Sequence, residues 1–456
     1  PPPPDWDAFG FLHTRVEDGR WHGIMSPGWP ALLAPGVAVG LPGLVNPLLA
    51  GLAVVGLHRY LRRSGASPAL SRLAALALAV SPFLVVLAAS SMAHPASLAL
   101  FVGFALAWRR ALDEGHRRAA ALAGLALALG ILVRPLDAVV TALPFGAVLA
   151  WRARRAPALR PAVALLAAGG VLGVGLTLAY NQAITGDPRV FAQARYFEEV
   201  TPGQRFGLGF GDDMGTRVHG SRWPGYHPHD APRVTAHRLA VALEDVHGLA
   251  PLTAAALVFA LRRRAAVPGL PPLLAAAGLL VAAYAAHFYH GIAYGARHYF
   301  LALPALAVAT AWPLAEGLAR GGEAARRARA AVAAGLATLA LVVAPPLAAT
   351  YAGGYRSASP ALRDAVREAG LDHALVLVDP ARWAWKSAFP LNRHPLERSR
   401  VLFARDPGPE EAAALVQRFP GRRVWRARLR GDDRVELTPV REAVSGVSAA
   451  DGPEAP

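Results

Sequence analysis

Arg297 is the first residue in this chain whose type and position indicate chemistry. It lies in GARHYFLALP, residues 295 to 304, where a long apolar segment begins. A guanidinium group has forked N–H donors that match phosphate oxygens, so Arg297 is a candidate anion-binding residue. Tyr299 and the nearby His290 add groups that can contact the same ligand. The alternative is an arginine that extends to the lipid headgroups at a membrane boundary or pairs with a carboxylate.

Arg134 and Asp137 are the ionisable residues of the apolar stretch ALALGILVRPLDAVVTALP. An ionisable group at membrane depth is costly and is often functional, so we predict that both residues bind substrate. Their spacing of three places them on one helix face if the helix continues through the proline. A purely structural ion pair between them is the alternative.

His94 lies at the end of SSMAHP, where another apolar segment begins. It is a third candidate, because an imidazole there can bind a ligand or act as a base, although it can also be merely solvated.

A polar stretch, GDDMGTRVHG, contains Asp212, Asp213 and His219. These residue types can bind a divalent metal, but no HExxH-type spacing accompanies them. We therefore predict no metal and no other cofactor, and keep these three residues as the alternative metal ligands.

The composition indicates a membrane protein. Of the 456 residues, 54% are hydrophobic and 17% are charged, and the mean hydropathy is +0.32. The net charge of +16 comes from arginines that recur between apolar blocks, which is typical of cytoplasmic loops and not of a nucleic-acid-binding surface. The absence of cysteine excludes disulfides, zinc–thiolate sites and a cysteine nucleophile.

The apolar blocks have the length that crosses a bilayer. They predict a mainly α-helical, polytopic transmembrane bundle of about ten helices, at about 44–61, 72–90, 95–109, 119–133, 136–151, 159–180, 246–261, 269–288, 298–318 and 329–350.

The arginine-rich connections follow the odd-numbered segments, and they include HRYLRRSG, RRALDEGHRR and WRARRAP. The positive-inside rule makes these connections cytoplasmic, so both ends of the chain are expected outside the cytoplasm. Lys386 is the only lysine, which is typical of a GC-rich bacterial genome, so we expect the plasma membrane of a bacterium. One exception stays open, because Pro135 can kink a single long helix instead of separating two.

Composition also predicts the domains. Residues 1–43 form an extracytoplasmic loop with an interfacial half-helix, and residues 44–350 form the transmembrane domain, with a large outer loop at 181–245. Residues 355–442 form a small extracytoplasmic α/β domain, and 443–456 form a disordered tail. The chain starts without a methionine or signal sequence, which suggests that a segment precedes it.

Several motifs occur in an order that resembles bacterial multi-pass glycosyltransferases of the GT-C superfold, relatives of the dolichyl-phosphate-mannose protein mannosyltransferases (glycosyltransferase family 39). They are GRWHGIMSPGWPALLAPG, GLVNPLLAGLAVVGLHRYL, AVSPFLVVLAASSMAHP, GILVRPLDAVVTALP, YNQAITGDP and GARHYFLALPAL, and the resemblance covers roughly residues 15 to 350.

The resemblance implies transfer of a sugar from a polyprenyl-phosphate donor to a lipid, glycan or protein acceptor, with no nucleic acid partner. Arg297 and Arg134 would hold the lipid phosphate, and His94 would lie near the cavity. The family's catalytic acid lies in the first outer loop. Here it is expected upstream of Pro1, with Asp5 and Asp7 as the substitutes within the chain.

Two other functions are compatible with the same sequence. One is a transporter or flippase whose substrate path is lined by the charged residues, although no inverted repeat is visible. The other is a non-catalytic member of the glycosyltransferase fold that binds polyprenyl lipids.

Overall fold

The computed structural model describes most of the chain as two compact units. One unit combines Pro1–Gly23 with Pro345–Pro456, and the other is Ile24–Ala344. The described residues are 6–10, 13–17, 19–215, 225–288, 292–352, 354–355, 358–379, 385–393, 395–430 and 434–440.

Helices dominate the described part of the chain. The α-helices are α1 (Trp6–Phe9), α2 (Gly28–Ala38), α3 (Val45–Arg63), α4 (Pro68–Ala79), α5 (Pro82–Ala88), α6 (His94–Glu114), α7 (Arg117–Val133), α8 (Pro135–Arg155), α9 (Arg160–Thr185), α10 (Ala192–Val200), α11 (Ala231–His247), α12 (Ala250–Arg262), α13 (Leu270–Ala285), α14 (Leu303–Arg320), α15 (Gly322–Thr338), α16 (Ala344–Ala352), α17 (Ala361–Glu368), α18 (Trp385–Ala388) and α19 (Pro409–Arg418). Short 3-10 helices lie at Pro42–Leu44, Pro157–Leu159, Arg264–Ala266, Arg297–Ala302, Phe389–Leu391 and Leu396–Arg398, and a π-helical turn lies at Leu339–Val343.

The strands are β1 (Thr14–Glu17), β2 (Arg20–Gly23), β3 (Ala374–Val378), β4 (Val401–Arg405), β5 (Arg423–Arg430) and β6 (Arg434–Pro439).

Among the described residues, five helical segments are long and apolar enough to cross a membrane. They are Pro42–Arg63, Pro135–Arg155, Pro157–Thr185, Arg297–Arg320 and Gly322–Ala352. The number rises to seven if two bent pairs each count as one span, α4 with α5 at 53° and α11 with α12 at 100°. The prediction of a mainly helical protein with several apolar helices is confirmed. A helix overlaps each of the ten predicted segments, but ten crossings remain a prediction.

The outer surfaces of these helices require an apolar environment. Only 28% of an apolar 18-residue stretch within Pro157–Thr185 is buried within the protein, although its mean hydropathy is 2.1. Leu48 is 67% exposed, Val171 72% and Leu341 77%. Apolar surface of this extent is costly in water and favourable against lipid, so the fold is compatible with a multi-pass membrane protein.

Helices α7 and α9 approach closely at two glycines. A Cβ added at Gly169 would clash with the backbone of Gly124, and a Cβ added at Gly124 would lie 2.6 Å from the Leu165 carbonyl oxygen. Small residues let membrane helices pack at short distance, because dispersion contacts replace the hydrophobic effect there.

We expect Gly169→Leu to separate α7 from α9 and to destabilise the protein by about 1–3 kcal/mol, since the new side chain meets backbone that cannot move aside. The thermal midpoint of the purified protein in detergent measures the effect. Gly175→Leu on the same helix is the control, because a Cβ there meets nothing within 4 Å. Equal midpoints for the two variants would contradict the close approach.

The unit that contains the C-terminus is built around a four-stranded sheet of order β4-β3-β5-β6. Strand β3 pairs in parallel with β4 and with β5, and β6 pairs antiparallel with β5. All five residues of β3 are buried, as expected for a central parallel strand covered on both faces.

Residues near the N-terminus belong to this sheet's core. Ala8 and Phe9 of α1 are buried in one cluster with Leu375 and Leu402, and the Phe9 ring packs edge-on against Phe419 at 5.8 Å. The sequence grouped residues 1–43 as one outer segment, whereas the first 23 residues lie with the C-terminal residues and α2 lies in the other unit. Contacts between such distant residues leave no local pattern.

Candidate functional site

Arg134 occupies a sharp turn between α7 and α8. The residue before a proline is disfavoured in the helical region, and Arg134 has φ −146° and ψ 88°. Proline at the first helical position is well tolerated, so α8 starts directly at Pro135. A Cβ added at Gly130 would lie 3.1 Å from the Ala138 Cβ, which shows that the two helices lie side by side there. Pro135 therefore begins a second helix.

Arg134, Asp137 and Tyr284 form a closed hydrogen-bonded triad. Arg134 donates from Nε to Asp137 Oδ2 at 2.5 Å and from Nη2 to the Tyr284 hydroxyl at 3.1 Å. The Tyr284 hydroxyl donates to Asp137 Oδ1 at 2.6 Å. The Asp137 side chain is 1% exposed and that of Arg134 is 19% exposed. A buried charge pair persists when its remaining polar atoms are also bonded, which Tyr284 achieves here.

The triad continues into a group of aromatic rings at the end of α13. The Tyr284 ring stacks on His298 at 4.4 Å between centroids, and the His287 ring lies 5.1 Å from His298. These rings connect the end of α13 with the start of the 3-10 helix Arg297–Ala302.

His94 is the first residue of α6 and is 2% exposed. The turn before it is held by Asn46, which donates to the carbonyl oxygens of Ser90 and Met92 at 2.6 and 2.8 Å. The imidazole packs edge-on against Phe300 at 5.9 Å, and neither ring nitrogen has a hydrogen-bond partner among the described residues. Buried polar atoms without a protein partner are uncommon, and a bound ligand or water is one explanation for them.

His94 packs against Phe300, which belongs to the 3-10 helix that begins at Arg297. His298 of the same helix stacks on Tyr284, whose hydroxyl accepts a hydrogen bond from Arg134 Nη2. The structure therefore brings together three residues that the sequence singled out separately, Arg134, Arg297 and His94. We call this group the cationic cluster.

Arg297 is positioned by an unusual backbone. Tyr294 and Gly295 have φ +57° and +84°, so two successive residues adopt the left-handed region. A Cβ at Gly295 would lie 2.6 Å from an oxygen of Asp245, so only glycine fits there. The side chain of Arg297 is half-buried.

A small apolar crevice lies between α6, α7 and α8. It is lined by Ser97, Leu100, Phe101, Phe104, Ala126, Leu127, Gly130, Ala138, Thr141, Ala142 and Leu301. Ser97 lies one turn after His94, Gly130 and Ala138 flank Arg134, and Leu301 follows Arg297 by four residues. The crevice therefore reaches the elements that carry the cationic cluster.

The candidate metal ligands that the structure describes contact other side chains. Arg205 binds both oxygens of Asp213, at 2.6 and 3.1 Å, and the guanidinium lowers the pKa of Asp213. Asp212 lies 3.3 Å from His227 Nε2, and His219 lies outside the described residues. Within the described part of the chain, no group of three or more His, Cys, Asp or Glu side chains is placed to hold a metal.

The other candidates fall elsewhere. Tyr299 is 1% exposed, and its hydroxyl has no hydrogen-bond partner among the described residues. His290 and Asp5 lie outside the described residues. Asp7 lies in α1, within the unit that contains the C-terminus, and its side chain is not described.

Three functional candidates were missed by sequence reasoning: Tyr284, Arg238 and Asp245. Arg238 and Asp245 lie in a stretch assigned mostly to a polar loop, where charged residues are ordinary. Tyr284 ends an apolar helix, a common position for an interfacial tyrosine. The signal for Arg238 in the sequence was its charge in a helix that is followed by an apolar segment.

Comparison with known proteins adds no assignment, because no family model and no curated protein matches the chain.

Proposed function

We propose that this protein is a membrane glycosyltransferase of the GT-C type, which transfers a sugar from a polyprenyl-phosphate donor to an acceptor on the extracytoplasmic face. The observation that supports this most is the cationic cluster, which lies on the elements that also line an apolar crevice. A lipid phosphate presents an anion attached to a hydrocarbon tail, and the site offers fixed cations next to an apolar surface.

The proposed chemistry follows from the donor. The bond between the anomeric carbon and the phosphate oxygen breaks, and the phosphate leaves with the electron pair. The acceptor oxygen bonds to that carbon, and the proton of the acceptor hydroxyl passes to the departing phosphate. Fixed cations stabilise the charge that develops on the leaving phosphate. Arg134 uses its Nε–H and one Nη2–H within the triad, so its other N–H groups are directed to no acceptor among the described residues.

Orientation supports the extracytoplasmic assignment. The arginine-rich connections alternate with the connections that carry His94, Arg134 and Arg297. With ten crossings and arginine-rich connections in the cytoplasm, the cationic cluster lies on the outer face of the plasma membrane.

A second candidate is a non-catalytic protein that binds polyprenyl phosphates. It is favoured by Asp137, the carboxylate of the triad, because an ion-paired and hydrogen-bonded carboxylate is a poor general base. We therefore do not assign Asp137 as a general base.

The test uses the full-length protein in lipid vesicles with a panel of radiolabelled polyprenyl-phosphate sugars, and with nucleotide sugars as the control. Release of polyprenyl phosphate from one of the lipid donors, with no turnover of nucleotide sugars, supports the glycosyltransferase. Saturable binding of the lipid donor without release supports the non-catalytic alternative. Neither binding nor release would remove both proposals.

We expect His94→Phe to separate ligand binding from folding. Phenylalanine fills the same space beside Phe300 but removes two buried nitrogens that have no partner among the described residues, so the thermal midpoint should stay the same or rise. The KM for the lipid donor should rise about tenfold, since a hydrogen bond to a charged group contributes about 1.5–3 kcal/mol. His94→Gln, which keeps an N–H donor, should recover part of the affinity. An unchanged KM in His94→Phe would remove His94 from the site.

A further inference from the structure

Helix α11 carries two charged residues on one face, Arg238 and Asp245. They are seven residues apart, which is about two helical turns and places them one above the other. Arg238 is 1% exposed and Asp245 is largely buried, so both charges are directed into the protein. Neither has a place in the chemistry of the cationic cluster.

Arg238 binds the carboxyl end of α13. Its Nη1 donates to the Tyr284 carbonyl oxygen at 2.5 Å, and its Nη2 donates to the His287 carbonyl oxygen at 2.6 Å. The hydroxyl of Tyr226 donates to the carbonyl oxygen of Ala285, the last residue of α13, at 2.6 Å. The last carbonyls of a helix have no partner within it and carry partial negative charge, so a guanidinium there is favourable.

Asp245 binds the start of the following element. Its Oδ2 accepts the backbone N–H of Ala296 at 2.7 Å, and Ala296 directly precedes the 3-10 helix that begins at Arg297. A carboxylate at the N-terminus of a helical segment satisfies a free N–H group and complements its partial positive charge. Gly295 leaves the space that the carboxylate fills.

We propose that α11 is the positioning element of the site, with Arg238 and Asp245 as positioning residues that hold the two ends of the connection between α13 and Arg297. The proposal rests on the function proposed above. The opposite charges match the opposite polarities of the two ends that they bind, so exchange of the two residues would be unfavourable at both. We call the backbone contacts of Arg238 and Asp245 the clamp. The clamp sets where Tyr284 lies relative to Arg297, and Tyr284 in turn positions Arg134.

The consequence is a requirement on geometry. A phosphate held by Arg134 and Arg297 needs both guanidinium groups at a fixed separation, and displacement of a reacting group by about 1 Å can cost about 100-fold in rate. The clamp defines this separation without contacting the ligand.

The test compares Arg238→Met and Asp245→Ala with the conservative variants Arg238→Lys and Asp245→Asn. Lysine keeps the charge with one directed contact, and asparagine keeps an oxygen that accepts the Ala296 N–H. We expect kcat/KM for the lipid donor to fall about 10- to 100-fold in Arg238→Met and in Asp245→Ala. Asp245→Asn should recover more than half of that loss on a logarithmic scale. Arg233→Met is the matched control, because it removes an arginine that is 78% exposed from the same helix.

A second readout separates this proposal from the function on which it rests. Hydrogen exchange in peptides that cover residues 285 to 302 should accelerate in Asp245→Ala and Arg238→Met and stay unchanged in Arg233→Met. This holds even if the wild-type protein turns over no lipid donor, so the clamp is tested independently of activity. Unchanged exchange in both variants would overturn the clamp, and faster exchange with unchanged kcat/KM in an active protein would overturn its role in positioning.

Discussion

Replacement of Arg297 by alanine is expected to lower kcat/KM for the lipid donor by about 100- to 1000-fold, the range found when one preorganised donor to a developing anion is removed. Arg297 supports this expectation because the next residue, His298, stacks on Tyr284 of the triad, and because the backbone before Arg297 is fixed by Gly295 and Asp245. The measurement is the steady-state release of polyprenyl phosphate in vesicles.

Two variants control this experiment. Arg297→Lys keeps the charge but loses the forked donors, so it should retain an intermediate rate. Arg320→Ala removes an arginine from the opposite end of the same helical segment, and it should leave turnover unchanged. Wild-type turnover in Arg297→Ala would show that the phosphate binds elsewhere.

The helical architecture was predictable because apolar blocks of membrane length are a local property of the sequence. Each block carries its own signal, so a helix over Arg160–Thr185 or Pro135–Arg155 needs no knowledge of its neighbours. What could not be predicted is which helices bend. The break between α4 and α5 and the 100° angle between α11 and α12 depend on packing as well as on local sequence.

The candidate site was predictable only in part, for the same reason. Arg134 and Asp137 are three residues apart, so their pairing was one of two stated alternatives. The third member, Tyr284, is 147 residues from Asp137 along the chain, and nothing near it in sequence indicates the contact. Arg238 similarly binds carbonyl oxygens 46 and 49 residues away. A backbone carbonyl carries no sequence signal, so helix capping by a distant arginine cannot be inferred from residue types.

The Arg134–Asp137 pair supports folding and also lies in the proposed site, so one substitution cannot separate its structural role from its role in ligand binding. We expect Asp137→Ala to destabilise the protein by about 3–5 kcal/mol, since it leaves a guanidinium that is 19% exposed without its carboxylate. Loss of folded protein in detergent, measured by size-exclusion chromatography and thermal unfolding, is the expected result. The control is Asp113→Ala, which removes a partly exposed pair with Arg109 and should cost at most about 1 kcal/mol.

An apolar replacement of the whole triad separates the two roles. In Arg134→Met, Asp137→Leu, Tyr284→Phe, no buried polar group is left without its partner, and replacement of a buried pair by apolar residues of similar volume is often neutral or stabilising. The triple variant should therefore fold with a thermal midpoint near that of the wild type, while its affinity for the lipid donor falls at least tenfold because one of the two fixed guanidinium groups is gone. Folding combined with wild-type affinity would assign the triad to structure alone and leave Arg297 and His94 as the phosphate-binding residues. Failure of the triple variant to fold, with Asp137→Ala as stable as the wild type, would contradict the buried triad itself.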